Sequence, residues 1–189
     1  MEKIRCSWVN DDKIYQKYHD NEWGVESHDD KYLFEMLVLE SFQAGLSWLT
    51  ILKKRDNFRQ AFDDFDYNRI AKYNEKKLLE LLEDKNIIRN KLKINATINN
   101  AKIFIEVQKE YKTFDNYIWS FVGNKQIVSS YKHSKDVPAY NDLSTKISLD
   151  LKKRGFKFVG TTIIYSYLQA IGILNDHTIE CFRYKGNKF

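Results

Sequence analysis

Pro138 is the only proline in a chain of 189 residues, so almost nowhere does the sequence forbid an α-helix. Glycine is nearly as scarce, at seven residues, and apolar side chains recur at helical spacing almost throughout. Asn10, Asp11 or Asp12 can cap a short helix through Tyr15, Tyr18 and His19. Asp29 or Asp30 can cap DKYLFEMLVLESFQA, which Gly45 ends, and Ser47 can open WLTILKKRDNFRQAF. Asp66 and Asn74 suit the starts of two shorter helices, the second being EKKLLELLED. Longer helical patterns cover residues 91–109 and 114–121, and NDLSTKISLDLKKR and TTIIYSYLQAIG follow near the end. Only residues 123–140 read as a long loop. No segment alternates like a strand, and no repeat or low-complexity run is present. The expectation is an all-α fold, a single domain over residues 1–189.

Composition excludes some classes and leaves others open. Hydrophobic residues make up 43% of the chain and aromatics 15%, which is too much for disorder. No apolar run is long enough to span a bilayer, and MEKIRCSWVNDDK lacks the apolar stretch of a secretory signal, so a cytoplasmic protein with no membrane partner is expected. The net charge of +5 permits a polyanionic partner without demanding one. What matters is where the cations cluster.

They cluster in KKRGFKFVGTT, residues 152–162, between two predicted helices. Gly155 can end the first by turning left-handed, and Gly160 can start the second with its backbone bare. Free N–H groups at a helix start attract phosphate, and Lys152, Lys153, Arg154 and Lys157 add positive charge around the turn. This is the chemistry of a helix-hairpin-helix that grips a nucleic-acid backbone without reading sequence. A solvated turn between core helices fits the same residues.

The two cysteines lie near opposite ends of the chain. Cys6 is followed by His19, and His177 by Cys181 at a spacing that would place both on one helical face. Two thiols and two imidazoles suit tetrahedral zinc, and four protein ligands would make the site structural, fastening the first helix to the last. The alternative is four ordinary buried residues. His28 and His133 have no such partners and read as surface or loop residues. Glu40 shares a helical stripe with Leu33, Leu37 and Ala44, where a carboxylate is costly without a partner. It is either partly exposed or paired, or it is a buried acceptor awaiting a ligand. Trp8, Tyr15, Tyr18, Trp23 and Trp48 could surround a flat cationic heterocycle beside it, or simply be core.

Taken together, RCSWV, YHDNEWGV, LFEMLVLESFQAGLSWLTILKKR, IIRN, IWSFV, LKKRGFKFVGTTI and NDH followed by Cys181 resemble the 3-methyladenine DNA glycosylase I family, from Cys6 to nearly the last residue. The resemblance implies a helix-hairpin-helix DNA glycosylase that excises 3-methyladenine from alkylated double-stranded DNA by hydrolysing the N-glycosidic bond. It implies a structural zinc ion joining the chain ends through Cys6, His19, His177 and Cys181. Glu40 becomes the catalytic, base-recognising carboxylate, and Trp8, Tyr15, Tyr18, Trp23 and Trp48 line the base pocket. The DNA-gripping hairpin spans residues 154–161, with Lys153 beside it and Arg154, Gly155, Lys157, Gly160 and Thr161 within it. Thr162 stands where bifunctional relatives carry a lysine, so no strand cleavage is expected. Asp176 is the rival to Glu40 for the essential carboxylate, and the preferred expectation is that it caps a helix or supports the zinc ligands. The chain departs from the family at Ser41 and Phe42, where Gly-Gln is common, and Phe42 is expected to reshape the pocket. A monomer is the simplest assembly.

Overall fold

The computed structural model describes residues 3–186. It is mainly helical: α1 (Lys13–Asn21), α2 (Asp30–Gln43), α3 (Trp48–Ala61), α4 (Tyr67–Ile70), α5 (Glu75–Glu83), α6 (Lys91–Tyr111), α7 (Phe114–Ser120), then β1 (Ile127–Val128), α8 (Asp142–Lys153), α9 (Thr161–Ala170) and β2 (Leu174–Asn175). The starts follow local chemistry. Asp12, Asp29, Ser47, Asp66 and Asn74 each place a side-chain oxygen on a backbone N–H of the first turn.

α2 is buried on every side from Leu33 to Phe42, with α3, α6, α7 and α9 packed around it. A helix enclosed in this way has no solvent face, so Glu40 lies in a buried segment and not at the edge of a stripe. Of the polar residues buried with it, Glu35 pairs with Arg55 at 2.7 Å and Ser41 donates to Leu37 O at 2.8 Å. In the core Phe104 stacks on Phe114 and meets Phe34 edge-on, while Phe58, Phe62 and Phe65 stack in sequence and Phe42 meets Phe58 edge-on.

Two features correct the sequence reading. The loop over 123–140 contains β1, which pairs in parallel with β2 at Ile127–Leu174 and Val128–Asn175. Strands of two residues carry no alternation that a sequence pattern could reveal. Nor do His177 and Cys181 lie on a helix. The segment after β2 is a chain of turns, closed by Cys181 N–H donating to Thr178 O at 2.8 Å and Tyr184 N–H to Cys181 O at 3.1 Å.

The N-terminal arm is clamped onto the end of α9. Gly24 N–H donates to Gln169 O at 2.9 Å and Ser27 N–H to Ile171 O at 3.1 Å. Gly172 makes this approach possible. Its φ is +77°, and a Cβ there would lie 2.2 Å from the Val25 carbonyl. Gly172→Ala must force the two backbones apart, which places it among the rare substitutions costing more than about 4 kcal/mol. Thermal unfolding by circular dichroism should show a melting temperature lower by roughly 10 °C or more. An unchanged melting temperature would show that the arm is not held so closely.

Candidate active site

A cavity of about 290 Å³ opens between the arm, α1, α2 and α9. Trp8, Tyr15, Tyr18, Trp23, Glu40 and Trp48 all line it, so the fold brings together every residue expected there. The rings contact one another at varied angles: Trp8 meets Tyr15 and Trp23 at 5.0 Å between centroids, and Tyr18 meets Trp48 at 5.4 Å. They therefore form walls on several sides.

Glu40 is 3% exposed, and its Oε2 is buried with no hydrogen-bond partner. Burial alone pushes its pKa up to about 8. Trp48 Nε1 is the second buried polar atom of the cavity left unpaired. Tyr167 OH and Arg183 Nε are also unpaired but lie outside the cavity, so what marks this place for a ligand is that two such atoms share one cavity. Tyr15 and Tyr18 hold their protons more tightly than usual, from burial first and the Glu40 charge second.

Asp176 also faces the cavity, but it is fully subscribed. Its carboxylate accepts from Ser129 Oγ at 2.6 Å, Tyr165 OH at 2.6 Å and Gln169 Nε2 at 2.8 Å. It neither caps a helix nor bonds any of the four Cys and His residues, so that expectation is corrected: Asp176 ties the 123–140 loop to α9 and builds the pocket wall. Gln43, Ser134, Val137, Ser166 and Gln169 complete the lining and were missed from sequence. Gln43 lies one turn beyond Glu40, and Ser166 and Gln169 are one turn apart on α9, which was the available signal. Phe42 is also corrected. It is fully buried against Phe58 at 4.8 Å and does not line the cavity.

Beside the pocket, residues 154–160 form a tight turn between α8 and α9. Gly155 has φ +98°, and Phe158 is itself left-handed at +54°. The turn is held by side chains reaching its backbone. Asn100 donates to Lys157 O at 2.9 Å and accepts from Lys157 N–H at 2.8 Å. Asn99 donates to Gly155 O at 3.0 Å, Ser41 to Phe158 O at 3.2 Å and Ser148 to Val159 O at 2.6 Å. Gly160 caps α9 with no side chain over its first N–H groups. Lys152, Lys153 and Lys157 are exposed around it. Arg154 is turned onto protein: it donates to Glu110 at 2.6 Å, Asp150 at 2.8 Å and Tyr111 OH at 3.1 Å.

Cys6, His19, His177 and Cys181 are all buried, with ligand atoms within 4.8 Å of one another. Each ring has its other nitrogen occupied. His19 Nδ1–H donates to Asp20 at 2.8 Å, with Arg5 holding that carboxylate, and His177 Nε2–H donates to Trp23 O at 3.0 Å. The remaining nitrogens therefore point lone pairs at the sulfurs, 3.4 Å from Cys181 for His177 and 3.5 Å for His19. The contact with Cys181 and burial push the Cys6 thiol up, so two thiolates can share this space only around a cation. The donor set fits a soft divalent metal.

A ring-lined cavity with an orphan carboxylate thus lies in an α-helical protein whose α8 and α9 are joined by a glycine-hinged basic turn. The sequence model of methyladenine glycosylases matches residues 8–184, and the chain belongs to that family. It is 47% identical to DNA-3-methyladenine glycosylase 1 of Escherichia coli K12, across 97% of this chain and 98% of that protein. It is 41% identical to the DNA-3-methyladenine glycosylase of Haemophilus influenzae, across 94% and 96%. A crystal structure of 3-methyladenine DNA glycosylase I superposes with a TM-score of 0.93 at 45% identity, covering 96% of this chain and all of that one. A variant of such an enzyme in complex with 3-methyladenine, 36% identical over 97% of this chain and 99% of that one, also superposes at 0.93.

Proposed function

We propose that this chain is a DNA repair glycosylase that excises 3-methyladenine from alkylated double-stranded DNA by hydrolysing the N-glycosidic bond, acting as a monomer and leaving the strand intact. The observation that carries this reading is Glu40: a buried carboxylate with an unpaired oxygen inside a cavity of aromatic rings.

N3-methylation makes the adenine a cation and weakens its bond to the sugar. The base then leaves neutral and needs no strong acid to protonate it. The nucleotide swings out of the stack, and the ring enters the cavity among Trp8, Tyr15, Tyr18, Trp23 and Trp48. Its charge draws Glu40 into the ionised form, and the carboxylate accepts from the exocyclic amine. Undamaged adenine brings no charge to offset a buried carboxylate and keeps its strong glycosidic bond, so it gains little. A guanine ring in the same pose would offer Glu40 a carbonyl oxygen in place of an amine, which favours adenine. Water completes the hydrolysis at the sugar. Asp176 already accepts three hydrogen bonds and serves the wall. The start of α9, Thr161 followed by Thr162, offers no lysine amine for a Schiff base.

The turn over 154–161 grips the duplex backbone through the bare N–H groups after Gly160 and through Lys152, Lys153 and Lys157. Cys6, His19, His177 and Cys181 would hold zinc. Four protein donors leave no open position, so the ion supplies fastening between the chain ends.

Incubation with methylated duplex DNA, followed by chromatography of the released bases, tests the reading. Free 3-methyladenine should appear, with strand breaks only after alkali. Release of no 3-methyladenine would sink it. Lys153→Ala with Lys157→Ala should flatten the dependence of log affinity on log salt by about 2, close to one unit per lost phosphate contact. An unchanged slope would remove the two lysines from the interface.

A further inference from the structure

Lys93 sits where its own helix disfavours it. It lies in the first turn of α6, at the positive end of the helix dipole, and is 7% exposed. Burial lowers its pKa. Its ammonium donates to the carbonyls of Phe42 at 2.8 Å and Ala44 at 2.7 Å, at the negative end of α2. The lysine therefore serves α2 at the expense of α6. A local rule broken in this way marks a position where the fold needs something. The turn it holds is the one between Glu40 and Trp48, the two residues whose buried polar atoms in the cavity lack partners.

Seven residues on, two turns along the same face, Asn100 is 1% exposed and pairs with both backbone groups of Lys157 in the hairpin. The two anchors are about 10 Å apart along the axis, at 1.5 Å per residue. One rigid helix thus grips both the base-reading turn and the backbone-gripping turn.

We propose that Lys93 and Asn100 are positioning residues, and that α6 is the beam that sets the offset between the base pocket and the hairpin. This rests on the glycosylase reading. A flipped base reaches the pocket at a distance fixed by the phosphates the hairpin holds. An offset wrong by 1 Å can cost on the order of 100-fold in rate.

The test separates the two anchors. Lys93→Met keeps chain length and volume but removes the ammonium. It should weaken binding of free 3-methyladenine, read by tryptophan quenching, and slow single-turnover release from methylated DNA by about tenfold or more. Its affinity for undamaged duplex should stay within about twofold of wild type. Asn100→Ala should show the reverse split, with duplex affinity weakened about fivefold or more and free-base affinity unchanged. Every measurement is made at 37 °C and again at 15 °C, where marginal variants are folded. If both variants lose both properties together, or recover them at 15 °C, the two residues only stabilise the fold and the proposal is overturned. If Lys93→Met does not fold, Lys93→Gln carries the same readouts. The binding arms require no turnover. A wild-type protein that releases no 3-methyladenine would therefore defeat the glycosylase reading separately.

Discussion

Glu40→Gln should release 3-methyladenine from methylated DNA on the order of 100- to 1,000-fold more slowly than wild type, the usual cost of losing one preorganised electrostatic group. The amide fills the same space but cannot bear the charge that offsets the cationic base. The same substitution should separate two pH dependences. In the free protein burial raises the Glu40 pKa from an ordinary 4.5 to about 8. Between those values the folded state holds a proton that the unfolded state has lost. Stability therefore falls as pH rises through this window, by at most about 1.4 kcal/mol per unit. Glu40→Gln has no proton to lose, so its melting temperature should match wild type near pH 5 and exceed it above pH 8. Activity runs the other way. kcat/KM reports the free enzyme, and the ionised carboxylate is the form that receives the cation. It should climb with pH and level off above about 8 in wild type, and stay flat in the variant. A variant that released base at the wild-type rate would assign the carboxylate role elsewhere, with Asp176 the next to test by Asp176→Asn.

Cys181→Ser should carry the second large effect, on stability and metal content. Cys181 contacts both histidines of the cluster, and its sulfur also accepts from Arg183 N–H at 3.4 Å. Serine is a poor ligand for a soft cation, so the variant should purify with little bound zinc. Loss of a structural metal belongs with the substitutions costing more than about 4 kcal/mol, or roughly 10 °C in melting temperature for a chain of this size. The turns after β2 should fray first, because the cluster holds them to the chain near Cys6 and to α1 at His19. Trp23 packs 4.6 Å from the His177 ring and lines the cavity, so base binding should weaken as well. Metal analysis and thermal unfolding check both points, and full zinc stoichiometry would remove Cys181 from the ligand set.

Local chemistry was legible in the sequence. Capping oxygens at Asp12, Asp29, Ser47, Asp66 and Asn74 act within their own first turn, so their neighbours in sequence suffice to find them. The six pocket residues and the four-residue Cys and His cluster stood out by their chemistry, but each also fitted an ordinary buried core, and it was the family resemblance that chose between the two readings. The errors share one cause. A spacing of four at His177 and Cys181 looks helical, yet consecutive turns bring the two side chains together equally well. Asp176 takes its meaning from Ser129, Tyr165 and Gln169, and nothing adjacent to it announces them. Phe42 follows the apolar packing of α3 and not the pocket two residues away.

Helix content, helix starts and the inventory of reactive side chains came from the sequence by itself, because each depends on interactions within a few residues. Only the tertiary structure decided that Glu40 has no partner, that Arg154 faces protein, and that Lys93 and Asn100 tie pocket to hairpin. Burial and hydrogen bonding are properties of space, and the groups that satisfy or abandon a polar atom arrive from distant parts of the chain.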